Sequence, residues 1–124
     1  MTRYDLHSHS TRSDGLLSPA EVVRRAAARG VDVLALTDHD ELAGLAEASD
    51  AAREAGIAFI AGAELSVTWR DTTLHVVGLG IDPDDDALAG GLEDVRHGRD
   101  ARARRIGEAL AQAGIPNAFE GALG

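Results

Sequence analysis

Short apolar segments alternate with helix-forming segments over the first half of this 124-residue chain. Residues 4–9 have the pattern of a short strand, and residues 31–36 (VDVLAL) and 57–65 (IAFIAGAEL) are apolar runs typical of buried parallel strands. A helix is predicted between each successive pair of strands. Because two parallel strands need a crossover of this kind, the order predicts an α/β fold with a parallel sheet or barrel.

The two crossover helices carry local start and stop signals. Ser18 is predicted to be the N-cap of the first helix, with Glu21 completing a capping box, and Gly30 ends that helix. The second helix is predicted to start with Asp40 as its cap and to end at Gly56.

The pattern changes after the third strand. Residues 65–70 and 73–81, separated by Asp71-Thr72, favour a hairpin or a pair of extended segments. A long helix is predicted to start at the aspartates 84–86 and to run to Ala113. Three glycines, at positions 90, 91 and 98, predict an irregular first half for this helix.

The composition excludes several classes of protein. The chain has no cysteine, so a metal would be bound by imidazole and carboxylate groups, which suit Mn, Fe, Zn or Mg. A membrane-spanning run and a secretory leader are absent from the sequence, which favours a cytoplasmic protein. The net charge of -9 and the aromatic content of 3% argue against duplex DNA and single-strand stacking as targets. A small anionic substrate held by a few arginines remains compatible with these values.

Histidines and carboxylates stand at or near the ends of several predicted strands. Because ligands bind at the carboxyl ends of parallel strands, these side chains are expected to converge. A His-x-His pair alone is also compatible with a solvated strand end, but polar groups on four strand ends are hard to explain by core packing. A shared metal cluster is therefore predicted, with Glu64 as the bridging carboxylate. Its candidate histidines are His7, His9, His39 and His75.

The remaining candidates have less specific interpretations. Asp14 precedes a glycine, so by itself it favours a turn. Asp5 and Asp38 are placed to accept the second N–H of a metal-binding histidine and so to orient its ring. Asp40 has a sufficient role as a helix cap, and His97 is predicted to be a solvated residue of the long helix.

Two arginines interrupt the apolar stripe of the long helix. Leu92, Val95 and Ile106 follow helical spacing, and Arg99 and Arg102 occupy the positions between them. The two side chains either extend past the edge of the core or form a guanidinium pair that binds a phosphate.

Four motifs taken together carry a family resemblance. DLHSHSTRSDG at 5–15, TDHD at 37–40, GAELS at 62–66 and LHVVGL at 74–79 resemble, in order and spacing, the PHP (polymerase and histidinol phosphatase) superfamily. The VTW segment and the arginine-containing helix are most similar to its nucleoside 3',5'-bisphosphate phosphatase and ribonuclease AM branch.

The resemblance implies a distorted (β/α)7 barrel with up to three divalent metal ions, often manganese. It assigns six metal ligands: His7, His9 and Glu64 on one ion, Glu64 and His75 on a second, and Asp14 and His39 on a third. It also implies that Arg99 and Arg102 bind phosphate and that Ser66 lies near the substrate.

The resemblance implies a metal-dependent phosphoesterase acting on nucleoside 3',5'-bisphosphates, with the 5' end of short RNA as a related target.

Members of this branch run to about twice the present length, in keeping with a barrel of about 250 residues. Residues 1–124 are therefore interpreted as the amino-terminal portion of a PHP domain. The alternatives are another PHP phosphoesterase, such as a histidinol phosphatase or a polymerase editing domain, and a non-catalytic fragment that binds metal incompletely. The sequence makes no prediction of oligomeric state.

Overall fold

A computed structural model of the chain describes residues 1–123, which fall into two compact units, with the second unit beginning at Glu93. The elements in chain order are β1 (Tyr4–Asp5), α1 (Pro19–Ala28), β2 (Val33–Leu36), α2 (Leu45–Ala55), β3 (Ala58–Trp69), β4 (Thr72–Leu79), α3 (Asp86–Gln112) and α4 (Ala118–Leu123). Among the described residues, no helix is both long enough and apolar enough to cross a membrane.

The four strands form one sheet in the order β1-β2-β3-β4. The first three strands are parallel, and β4 pairs antiparallel with β3. This confirms the predicted α/β fold, with mostly parallel strands that form part of a barrel. The core lies between the sheet and the two crossover helices, where Val23, Leu34, Leu36, Leu45 and Ala48 are buried together.

The start of α1 is as predicted. The Glu21 N–H donates to Ser18 Oγ at 3.3 Å, and the Ser18 N–H donates to the Glu21 carboxylate at 2.9 Å. The predicted cap of the second helix is wrong. That helix begins at Leu45, after Gly44, and Asp40 is instead a buried residue with φ 48° in the segment between β2 and α2.

The first strand is shorter than predicted. β1 has only two residues, Tyr4 and Asp5. After Asp5 the chain leaves the ladder, and a further contact with the neighbouring segment follows where the Thr37 N–H donates to the Ser8 carbonyl at 2.8 Å.

The predicted hairpin is present. Its turn consists of Arg70 and Asp71, both with positive φ (47° and 63°), which matches the twist of two-residue hairpins.

The long helix is continuous, so the irregularity predicted from its glycines is wrong. At its start the Leu88 N–H donates to the carboxylate of Asp85 at 2.7 Å, which satisfies one of the free amides of the first turn. The closing helix α4 was not predicted. Its Phe119 lies against Gly107, where an added Cβ would be 2.8 Å from the Cβ of Phe119, and the Arg104 guanidinium lies 4.5 Å from the Phe119 ring centroid.

Candidate metal centre

The fold brings six side chains together near the carboxyl ends of β1 and β2. His7 and His9 follow β1, His39 follows β2, Glu64 lies within β3 and His75 lies on β4. The sixth is Asp14, in the loop before α1. We call these six residues the cluster. Its rings form a row, with centroids 5.0 Å apart for His7 and His9, 4.6 Å for His9 and His39, and 5.1 Å for His39 and His75.

Glu64 lies at the centre of the cluster and its side chain is almost completely buried. Its Oε2 atom is 2.8 Å from Nε2 of His7, 2.8 Å from Nε2 of His9 and 3.7 Å from Nε2 of His39. Its Oε1 atom faces a different neighbour, Nδ1 of His75, at 4.0 Å. One carboxylate therefore presents its two oxygens to different sets of imidazoles.

The spacing of three donor atoms tests whether a metal ion fits here. The Nε2 atoms of His7 and His9 are 3.0 Å apart, and each is 2.8 Å from Oε2 of Glu64. In an octahedral shell with bonds of about 2.1 Å, neighbouring ligand atoms are about 3.0 Å apart. The three atoms therefore have the mutual spacing of ligands on a single ion, and imidazole with carboxylate is a donor set that divalent metals accept.

Two more groups of three donors share residues with the first. His9, Asp14 and His39 form the second group, and His39, Glu64 and His75 form the third, each with donor atoms within 4.8 Å of one another. Glu64, His9 and His39 each belong to two groups. The three groups contain the same six residues that the family resemblance assigns to three ions, and the binding of ions by them stays a prediction.

Asp14 contacts two rings of the cluster. Its Oδ1 atom accepts a hydrogen bond from the Nδ1–H of His9 at 2.6 Å, and its Oδ2 atom lies 3.3 Å from Nε2 of His39. When Nδ1 of His9 carries the proton, the lone pair of that ring is on Nε2, the atom that faces Glu64. Asp14 thus selects the tautomer of His9 that can bind a metal, as carboxylates next to metal-binding histidines commonly do.

Both carboxylates have a lowered pKa. Burial alone would raise the pKa of Glu64, but the hydrogen bond from His7 and the charges of His39, His7 and His9 together hold it below its ordinary value of 4.5. For Asp14, the hydrogen bond from His9 is the main cause that lowers the pKa below 3.8. Burial opposes this effect, and the charges of His9 and His39 add to it. Both groups are therefore ionised and ready to bind a cation at neutral pH.

Asp38 does not orient a histidine ring, in contrast to the prediction. Its carboxylate accepts hydrogen bonds from the N–H and the hydroxyl of Ser10, both at 2.7 Å, and from the hydroxyl of Ser13 at 2.6 Å. Within residues 1–123, Nδ1 of His39 is buried without a hydrogen-bond partner. Asp38 thus fixes the loop between the paired histidines and Asp14.

Two further residues hold the backbone around His7 and His9. The carboxylate of Asp5 accepts a long hydrogen bond (3.5 Å) from the backbone N–H of His7. The prediction was that Asp5 would accept an N–H from a histidine ring. Gly15 folds back on the segment, so that an added Cβ would lie only 2.4 Å from the carbonyl oxygen of His9. Sequence reasoning treated Gly15 only as part of a turn, and its contact with His9 could not be read from the sequence.

The predicted substrate residues lie on two different elements. Ser66 is the cross-strand partner of His75, and its Oγ is 3.5 Å from Nδ1 of that ring. Arg99 and Arg102 are exposed residues of α3 in the second unit, and phosphate binding by them stays a prediction. His97 is exposed, with Nε2 4.0 Å from a carboxylate oxygen of Glu93.

The chain is similar in sequence to a known domain family and to proteins of known name. Residues 5–113 match the PHP domain family. The chain is 55% identical over 99% of its length to a 3',5'-nucleoside bisphosphate phosphatase of Chromobacterium violaceum and covers 43% of that protein. It is 51% identical over 97% of its length to a 5'-3' exoribonuclease of Haemophilus influenzae and covers 44% of it. The chain therefore spans less than half the length of these curated relatives.

A solved structure supports the same relationship. A protein from Bifidobacterium adolescentis, described as a metal-dependent phosphoesterase, superposes with a TM-score of 0.81 and 31% identity. The match covers 90% of this chain and 39% of the other.

Proposed function

Because the chain belongs to the PHP domain family, we propose that its cluster binds divalent metal ions and forms part of the active site of a phosphoesterase that acts on nucleotides. The observation that supports this most directly is that Glu64, His9 and His39 are each shared between two groups of metal-ligating atoms. Neighbouring ions that share ligands are typical of enzymes that cleave phosphate esters. We propose manganese as the physiological metal, with zinc, iron and magnesium as alternatives.

The residues of the chain have distinct roles in this proposal. His7, His9 and Glu64 hold one ion, and His75 and Asp14 extend the set to either side. Bound divalent ions supply a water of lowered pKa and stabilise negative charge on a phosphoryl group. The Nδ1 atom of His9 stays protonated because Asp14 accepts its hydrogen bond, so that Nε2 is kept for the metal.

The proposed substrate is a nucleoside 3',5'-bisphosphate, with the 5' end of short RNA as a second target. Two of the similar proteins bear these activities in their names. A chain with a net charge of -9 repels polyanions, so the substrate phosphates need local cations. We assign this role to Arg99 and Arg102, whose planar guanidinium groups can bind phosphate through two parallel hydrogen bonds. Ser66, beside His75, is the proposed substrate contact on the sheet.

Metal binding without hydrolysis is the second candidate function. Each group in the described residues offers three protein donors, whereas metal ions in proteins take four or more ligands. The chain also covers only 43% of its phosphatase relative. Each ion would therefore need at least one more ligand, from water, from the substrate or from protein outside this sequence.

The deciding experiment is manganese-dependent release of phosphate from adenosine 3',5'-bisphosphate by the purified chain. Bound manganese is counted in the same samples, and His9→Ala is compared with His97→Ala, a control that removes an exposed histidine. Release that is lost in the first variant and kept in the second supports the phosphoesterase. Bound manganese without release supports the second candidate, and release that survives His9→Ala contradicts the proposed site. Histidinol phosphate, assayed in parallel, separates nucleotide specificity from that of a histidinol phosphatase.

A further inference from the structure

Asp40 is a buried carboxylate in an unusual backbone conformation. It has no exposed surface, and its φ of 48° lies in the left-handed region. Aspartate is seldom completely buried, and positive φ is uncommon for residues other than glycine. A position that combines both features is stabilised by specific contacts, which suggests that the residue has a defined structural or functional task.

The contacts of Asp40 join the end of β2 to β3. Asp40 donates its backbone N–H to the carbonyl of Glu64 at 3.0 Å, and the Glu64 N–H donates to the carbonyl of Asp38 at 3.0 Å. These two bonds form a parallel bridge between His39 and Glu64, beyond the last residue of β2. The carboxylate of Asp40 then accepts the backbone N–H of Ser66 at 2.7 Å.

The third bond takes the place of a main-chain bond. In a regular parallel ladder, the Ser66 N–H would be the next donor after that of Glu64, and the carbonyl of residue 40 would accept it. At Asp40 the chain turns away from the sheet, as its positive φ shows. A carboxylate oxygen of Asp40 accepts this N–H instead. Ser66 on β3 therefore keeps a hydrogen bond to the segment after β2, although the backbone of that segment turns away from the sheet after His39.

This arrangement fixes two shared ligands relative to each other. His39 and Glu64 are bridge partners, and each belongs to two of the three donor groups. Without an acceptor at Asp40, the Ser66 amide would lose its partner on the β2 side, and the segment that carries Glu64 would be held less firmly.

We propose that Asp40 is a positioning residue of the metal centre, which acts through the hydrogen bond that its carboxylate accepts from the backbone N–H of Ser66. The proposal rests on the proposed function, because it assumes that the cluster binds metal. It differs from the role assigned to Asp40 by sequence pattern, which was a helix cap.

Two substitutions separate the acceptor from the charge. Asp40→Asn keeps an oxygen at this position and tolerates positive φ, whereas Asp40→Gly removes the oxygen and also accepts positive φ. Asp71→Gly is the matched control, because Asp71 is an exposed aspartate with φ 63° in the hairpin turn of the same sheet. Cobalt(II) is the probe, since its visible absorption reports both affinity and the geometry of the ligands.

We expect Asp40→Gly to weaken cobalt binding by about 10-fold or more and to change the cobalt spectrum, in line with other residues that orient metal ligands. Asp40→Asn and Asp71→Gly should stay within about 3-fold of the unsubstituted chain, a smaller change than loss of such a residue brings. Unchanged affinity and spectrum in Asp40→Gly would overturn the proposal. Weakening in Asp40→Asn equal to that in Asp40→Gly would overturn it as well, because the charge would then be the feature that matters.

Hydrogen exchange of the Ser66 amide provides a readout that needs no metal. The amide should be protected in the unsubstituted chain and in Asp40→Asn, and should exchange at least about 10-fold faster in Asp40→Gly, because its acceptor is gone. If the glycine variant does not fold, the asparagine variant still decides: a protected Ser66 amide with retained cobalt affinity supports the proposal, and loss of either overturns it. If the unsubstituted chain binds no cobalt, the proposed function fails, while the exchange data still test the hydrogen bond of Asp40.

Discussion

The Nδ1 atom of His9 lies 2.6 Å from Oδ1 of Asp14, the shortest contact within the cluster. A hydrogen bond to a carboxylate at this distance is of the strong, charge-assisted type. It links the loop before α1 to the histidine segment after β1, and it fixes which nitrogen of His9 faces Glu64. Under the proposed function, the position of Asp14 beside two rings gives this residue two tasks, orientation of His9 and direct binding of a metal.

Substitution of Asp14 separates these tasks. Asp14→Asn keeps an acceptor for the Nδ1–H of His9 but removes the negative charge, whereas Asp14→Ala removes both. We expect manganese affinity to fall about 10-fold in the first variant and about 100-fold in the second, the usual range for groups that support metal ligands. Isothermal titration measures both effects, with Asp50→Asn, an exposed aspartate of α2, as control. Equal losses in the two variants would show that the hydrogen bond to His9 contributes nothing.

Glu64→Gln should have the largest effect of any single substitution in the cluster. It replaces a carboxylate that belongs to two donor groups by an amide, which binds divalent metals more weakly. We expect the number of bound manganese ions to fall in the variant, with affinity reduced about 100-fold or more at the site that remains, beyond the range for supporting residues. Metal analysis after equilibrium dialysis gives the count. Glu54→Gln, at an exposed position of α2, should bind as the unsubstituted chain does, and an unchanged count in Glu64→Gln would contradict a shared carboxylate.

Local signals were sufficient to predict part of the fold. The capping box of Ser18 and Glu21 was predictable because both partners lie within three residues of each other. Asp40 also has a residue type that favours the N-cap of the helical segment after it, yet its carboxylate accepts a hydrogen bond from Ser66, 26 residues away. A contact of that separation leaves no signature in the sequence around Asp40, so the prediction of a cap was wrong.

The meeting of the cluster residues could be predicted because parallel strands end at the same edge of a sheet. This rule brings His7 and His39 together without knowledge of any side-chain geometry, and Glu64 joins them where the pairing of β3 with the β2 side ends, at the bridge between His39 and Glu64. It does not specify which atoms face each other. The loop bonds of Asp38 to Ser10 depend on how the chain folds back after the strand, which strand pattern alone does not determine.

The stability of the metal-free chain should decrease in acid. Glu64 and Asp14 both have a lower pKa in the folded chain than their ordinary values of 4.5 and 3.8. Their contribution to the free energy of unfolding is therefore complete above these ordinary values, and it is lost as the pH falls through the lowered folded values. Urea midpoints measured in chelator should decline from pH 5 to pH 3.

Glu64→Gln tests the origin of this decline. The substitution removes the titrating group, so the dependence of the urea midpoint on pH should become shallower in the variant than in the unsubstituted chain. Glu54→Gln, which removes a carboxylate at an exposed position of α2, serves again as the control. A slope in Glu64→Gln as steep as that of the control would assign the acid sensitivity to other carboxylates.

Gly15 should be intolerant of even the smallest side chain. A Cβ at this position would lie 2.4 Å from the carbonyl oxygen and 2.6 Å from the carbonyl carbon of His9, and backbone atoms cannot move aside as the end of a side chain can. Gly15→Ala is expected to lower the free energy of unfolding by about 2 kcal/mol or more, as overpacking does. Because the displaced backbone belongs to His9, manganese affinity should fall along with stability.

Gly90→Ala is the matched control for this substitution. Gly90 lies in α3 with open space around its Cβ position, so alanine there should raise the free energy of unfolding by about 0.5–1 kcal/mol and leave manganese affinity unchanged. Urea unfolding and isothermal titration of both variants give the comparison. A stable Gly15→Ala variant with full manganese affinity would show that the His9 segment can shift without cost, and the cluster would then be less rigid than its short contacts indicate.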